Sequence, residues 1–156
     1  MLIKTHLAIA FFFILTAISF VNSPAIFAVG VLIGTVVPDI DSRFSFLGQK
    51  KIARLLQFFT KHRGIIHSFT LLFLITFFLV LFFPVWALGF FLGYAIHLFV
   101  DSFTKDGIVP FYPMKKKSGG VITSGGRVES AVFVTFVVLD LAVLIVRLIG
   151  ALNPIF

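Results

Sequence analysis

Five long apolar runs, at about residues 6–21, 25–38, 65–83, 85–103 and 130–149, leave this chain few ways to fold. Inside a bilayer no water satisfies backbone N–H and C=O groups, so a spanning segment must be a helix or part of a closed barrel. These runs are continuous rather than alternating, which predicts helices. Asn22-Ser23-Pro24 separates the first pair and Pro84 the third from the fourth, and connections that short force antiparallel hairpins. The first two runs are short against the roughly 20 residues a spanning helix needs. Small tilt or local thinning of the bilayer would accommodate them. With 156 residues, 60% of them hydrophobic, and a mean hydropathy of +1.15, the chain reads as one membrane-embedded domain, residues 1–156. The expected fold class is all-α, a polytopic bundle of about five transmembrane helices. Lys4 followed by residues 7–21 has the outline of a secretory leader, but Val21-Asn22-Ser23-Pro24 is a poor small-residue cleavage site, so the run is read as a retained helix.

Hairpins assign the connections to sides. Residues 1–5, 39–64 and 104–129 share one side of the membrane. Twelve of the 13 Lys and Arg residues lie there, from Lys4 and Arg43 through Lys115, Lys116, Lys117 and Arg127, and only Arg147 goes with the other. The positive-inside rule makes that side cytoplasmic and the chain an inner-membrane, multi-pass protein with its N-terminus inside. A net charge of +7 could serve nucleic acid or anionic lipid, and its confinement to one membrane face favours lipid. Ile52, Leu55, Leu56 and Phe59 repeat at helical spacing among Lys50, Lys51, Arg54 and Lys61. That pattern predicts an amphipathic helix in the interface, or a surface helix packed on the bundle. Residues 115–126, with a lysine triplet and two Gly-Gly pairs, read as a mobile loop whose lysines recruit anionic lipid or simply set topology.

All four histidines and three of the five aspartates fall on this basic side, at the ends of apolar runs. His6 opens the first run, Asp39 and Asp41 close the second, His62 and His67 open the third, and His97 and Asp101 close the fourth. His97 and Asp101, at i and i+4, project from one helical face. Alone the pair could be an internal hydrogen bond, but ionisable groups in apolar segments are costly and usually functional. Asp39 and Asp41, alternating on an extended exit from the helix, could face one cation, although paired aspartates are more often caps or turns. Gly64 lets a loop His62 and a first-turn His67 converge. The absence of cysteine leaves only nitrogen and oxygen donors, a set that suits zinc first, with manganese or iron as alternatives. Seven candidates exceed what one tetrahedral ion needs, so two divalent ions are expected, the arrangement that commonly serves phosphate ester hydrolysis.

The ordered set His6, Pro38-Asp39-Ile40-Asp41, His62-Arg63-Gly64-Ile65-Ile66-His67-Ser68 and His97-Leu98-Phe99-Val100-Asp101, followed by Gly107 and Tyr112-Pro113, resembles the LexA-regulated, membrane-bound metal-dependent hydrolase (YdjM-like) family over residues 1 to about 115. More distantly the set is similar to zinc phospholipases C and zinc nucleases. The resemblance implies ligand roles for all seven residues. On this reading the expected activity is hydrolysis of a phosphoester in a lipid head group or another membrane-associated phosphate. Asp41 or Asp101 is the expected general base, and Lys61, Arg63 and Lys105 are candidate phosphate clamps. The rival is a non-enzymatic membrane protein, a metal transporter or a scaffold around a structural ion. Glu129 reads as a helix-start carboxylate, or else as an extra ligand or base, and Asp140, seven residues before Arg147, as an intramembrane partner or an oligomer contact.

Overall fold

The computed structural model describes residues 1–41 and 64–152, without the side chains of Ile40 and Asp41. Among these residues the architecture is all-helical. The helices are α1 (Ile3–Ala17), α2 (Pro24–Val36), α3 (Phe69–Phe82), α4 (Pro84–Asp101) and α5 (Arg127–Leu152). A 3₁₀ turn, Ile18–Phe20, prolongs α1, and a second, Val37–Asp41, prolongs α2. Proline opens both α2 and α4, where its missing N–H costs no helical hydrogen bond. Among the described residues three stretches are long and apolar enough to cross a membrane: Ile3–Phe20, Pro84–Asp101 and Arg127–Leu152. Helices α2 and α3 are shorter apolar segments. The stretch 42–63, which holds the expected amphipathic helix, lies outside the described residues.

Two expectations about local structure are corrected. The third helix starts at Phe69 rather than near residue 65, because Ser68 caps it. The Ser68 hydroxyl oxygen accepts from the Leu71 N–H at 3.3 Å and the hydroxyl donates to the Ile65 carbonyl at 2.5 Å, so His67 stands before the first turn rather than in it. The exit from α2 is also 3₁₀ rather than extended through Asp41.

A close pair of parallel helices, α2 and α4, forms the centre. Gly30 and Gly34 face Gly89 and Gly93, and backbone meets backbone. A Cβ on Gly93 would sit 2.0 Å from the Val31 carbonyl oxygen, and one on Gly34 would sit 2.3 Å from that of Phe90. Small residues at i and i+4 allow this approach in membranes, where no hydrophobic effect drives helices together and packing must do so. Phe27 and Val31 of α2 pack with Ala10 and Ile14 of α1, while Phe90, Tyr94 and Leu98 of α4 pack with Leu72 of α3 and Ile108. Helix α5 rests on α1, with Phe136 edge-on to Phe12 at 5.6 Å between ring centres and the Lys4 ammonium 5.1 Å from the Phe133 ring.

Outward faces stay apolar. Phe73, Leu74, Phe77, Phe78 and Leu81 of α3, and Val134, Val138, Leu141, Leu144 and Leu148 of α5, are all exposed. Apolar surface on that scale has to be covered, and the bilayer covers it. Thr135, Asp140 and Arg147 interrupt the apolar run of α5, and Asp140 Oδ1 is buried without a hydrogen-bond partner among the described residues.

The connection from α4 to α5 differs from expectation. Residues 115–126, read as a mobile loop, are tied back to the segment after α4 by main-chain hydrogen bonds. Ile108 and Ser118 exchange two at 2.8 Å, and the Lys105 N–H donates to the Ile122 carbonyl at 2.9 Å. Gly107, at a φ of 58°, permits the turn.

The seam yields a direct test. Gly93→Ala should destabilise the detergent-solubilised protein by about 1–3 kcal/mol, since the added methyl meets main chain that cannot step aside. Gly150→Ala, whose Cβ would meet nothing within 4 Å, should be neutral or slightly stabilising. Thermal unfolding of the two variants in parallel measures the contrast.

Candidate metal centre

The seam sets where α2 and α4 end, and therefore where their polar residues meet. His97 lies in the last turn of α4 beside Thr35 of α2. Its Nδ1 is 2.7 Å from the Thr35 carbonyl oxygen. A carbonyl can only accept, so Nδ1 carries the proton and the neutral ring presents its lone pair at Nε2. That arrangement, a histidine oriented through its second nitrogen, is how metal ligands are commonly held.

Four donor atoms surround the space in front of Nε2. His97 Nε2 lies 3.8 Å from Asp39 Oδ1 and 3.8 Å from Asp101 Oδ2. His67 Nε2 lies 4.0 Å from the same Asp39 oxygen and 3.9 Å from the same Asp101 oxygen. Two imidazoles and two carboxylates thus alternate around a ring. A tetrahedral ion with metal–ligand distances of about 2.0–2.2 Å requires ligand–ligand edges of roughly 3.3–3.6 Å. These four edges are a few tenths of an ångström longer, and the donor types suit such an ion.

His6 completes the cluster from α1. Its ring stacks on His97, with centroids 3.9 Å apart and planes 9° from parallel, while His67 meets His97 edge-on at 5.6 Å. His6 Nε2 is 3.2 Å from Asp101 Oδ1, the oxygen that also receives the Met1 α-amino group. Asp101 therefore faces two ways, Oδ2 towards His67 and His97, Oδ1 towards His6. His6, His97 and Asp101 form one group with metal-ligand spacing, and Asp39, His67 and His97 form another.

Burial sharpens the fit. His6, His97, His67 and Asp101 are at most 1% exposed. Among the described residues His97 Nε2 and His6 Nδ1 make no hydrogen bond. Leaving a buried polar atom unpaired costs on the order of 1–3 kcal/mol. Stacked, buried imidazoles with idle nitrogens are groups that a cation would satisfy.

The family model described as YdjM inner membrane protein matches residues 1–153. The chain belongs to that family. No curated protein and no solved structure matches it. For this YdjM-family chain, five of the seven residues read from sequence as ligands, His6, Asp39, His67, His97 and Asp101, come together at one end of the bundle. Asp41 lies in the 3₁₀ turn after α2, but its side chain is outside the described residues, as are His62, Arg63 and Lys61. Lys105 is exposed, four positions beyond Asp101.

Three supporting residues were not legible as such. Thr35 orients His97 through its carbonyl, and its hydroxyl donates to the Val31 carbonyl at 2.8 Å. Tyr94 donates its hydroxyl to the Ile66 carbonyl at 2.5 Å, fixing the residue before His67. Its place three residues before His97 on an apolar helix was the only available signal. Glu129 is buried and accepts from the Leu2 N–H at 2.6 Å, the Thr5 hydroxyl at 2.9 Å and the Gly125 N–H. It clasps the start of α5 to the start of α1, whose exposed N–H groups favour a carboxylate, and so holds His6 in register.

Ligands and clasp should separate in experiment. His97→Ala and Asp101→Ala are expected to abolish stoichiometric metal in the purified protein, measured by elemental analysis. Glu129→Ala should keep the metal while lowering stability by about 1–3 kcal/mol through loss of hydrogen bonds to a buried charge.

Proposed function

We propose that this membrane protein is a metal-dependent phosphoesterase whose site faces the cytoplasm and acts on a phosphate at the membrane surface. The observation that carries the reading is the ring formed by Asp39 Oδ1, His67 Nε2, His97 Nε2 and Asp101 Oδ2, with edges of 3.8–4.0 Å. Such a ring holds one divalent ion, zinc first and manganese or iron next. The other side of Asp101, Oδ1 with His6 Nε2 at 3.2 Å, offers a start on a second ion, which Asp41 and His62 would complete. When bound, the ions supply Lewis acidity towards a phosphoryl oxygen and acidify water.

The chain's own groups supply the rest. Both oxygens of Asp101 are engaged by histidines, so it would serve as a ligand, and Asp41 would be the general base. Thr35 holds the tautomer of His97, and Asp101 holds His6. Lys61, Arg63 and Lys105 belong to the basic side of the chain and suit an anionic phosphate. The twelve-to-one split of Lys and Arg between the two sides supports a cytoplasmic orientation.

One observation favours a second reading. His6, His67, His97 and Asp101 are almost wholly buried, as expected of a closed structural ion, whereas a catalytic ion keeps an open position. Activity and stability discriminate the two. With a catalytic site, His97→Ala should reduce hydrolysis of a phosphoester probe by roughly 100-fold or more while the melting temperature moves little. With a structural ion, the same substitution should lower the melting temperature sharply and prevent monodisperse purification. Orientation has its own test: an alkaline phosphatase fused after Lys117 should be inactive and a fluorescent cytoplasmic reporter there should shine, and the opposite pair of results overturns the cytoplasmic site.

A further inference from the structure

Beside the metal centre lies a cavity of about 560 Å³ whose twelve lining residues are all apolar. Its walls belong to the helices that carry the polar cluster. On α1 they are Ile9 and Phe13, three and seven residues past His6. On α5 they are Val132 and Phe136, three and seven residues past Glu129. Residues at i, i+3 and i+7 share one helical face, so the cavity continues the faces that bear His6 and Glu129. Ile96 and Val100 of α4 form another wall, each next in sequence to a ligand. Seven residues of helix rise about 10 Å, which is how far the space reaches from the level of the histidines into the span. Met1 belongs to both places: it lines the cavity, and its amino group touches Asp101.

We infer that this cavity holds one acyl chain of a phospholipid substrate, with the phosphate of the same molecule at the metal centre. The inference rests on the phosphoesterase reading and names the substrate class. Complementarity carries it. No wall side chain offers a charge or a hydrogen bond, and the Met1 ammonium is taken up by Asp101, so an occupant with polar groups would be left unsatisfied, while a hydrocarbon chain has none to satisfy. At the adjoining end, cations and buried ligands suit an anionic headgroup and nothing apolar. The same geometry gives a largely buried site an approach for substrate, along the membrane plane between α1, α4 and α5.

The experiment uses the metal-loaded wild-type chain in vesicles of phosphatidylethanolamine and phosphatidylglycerol. A trace of phosphatidylglycerol bears a diazirine at the end of one acyl chain. After irradiation, adducts located by mass spectrometry should concentrate on Ile9, Phe13, Val132 and Phe136, at least fivefold above Phe77 and Phe78 on the outer face of α3. Val132→Trp should remove most of the cavity adducts and leave those on α3 unchanged. Ala95→Phe, which fills the space from the α4 side, serves in its place if that variant does not fold. Equal labelling of cavity and outer face, or cavity labelling that neither filling variant reduces, overturns the inference. So do chain-to-chain adducts at these residues, which would put a second copy in the groove. Hydrolysis is assayed on the same vesicles. Cavity labelling without hydrolysis of phosphatidylglycerol or phosphatidylethanolamine sustains the chain site and counts against the phosphoesterase. Hydrolysis with uniform labelling sustains the phosphoesterase and overturns the chain site.

Discussion

Contact between the backbones of α2 and α4 governs the architecture of this protein and the placement of its polar groups. Gly34 and Gly93 have no Cβ because none would fit: the nearest carbonyl oxygens would stand 2.3 and 2.0 Å away. Lipid tails are as apolar as leucine, so an ordinary interface of large side chains would gain little from leaving them. Close main-chain packing instead gains dispersion over a long strip. It also brings the Thr35 carbonyl to His97 Nδ1 and the turn after α2 to the last turn of α4. The polar cluster is thus a product of the packing, and two further ligands join it from outside: α1 brings His6, and the turn before α3 brings His67.

The bundle was legible in sequence because bilayer chemistry permits so little else. Every apolar run became a helix, and the Pro24 and Pro84 breaks stand at helix starts. Boundaries were less legible. The apolar residues Ile65 and Ile66 look helical by hydropathy, but the Ser68 cap and the Tyr94 hydroxyl hold that stretch in a turn. The tethering of residues 115–126 was hidden for a related reason. Lysine and glycine give no periodic signal, and main-chain hydrogen bonds such as Ile108 to Ser118 leave no mark on side-chain chemistry.

Ligand identity was readable from residue type and from position at helix ends, and five of the seven candidates meet. Their roles were not readable. Nothing in the sequence shows that Asp101 divides its two oxygens between partners, that His6 lies flat on His97, or that a threonine carbonyl selects the tautomer. Glu129 illustrates the limit best. In sequence this acid reads first as a helix-start carboxylate, which its place in the first turn of α5 bears out, and otherwise as a ligand or base. Only its three donors, Leu2, Thr5 and Gly125, make it the clasp between two helices.

Parallel stacking of His6 on His97 has one more consequence. The two rings belong to helices that enter the cluster in opposite directions, yet their planes lie only 9° from parallel. The stack therefore ties the start of α1 to the end of α4, so that neither ring can turn without the other giving way.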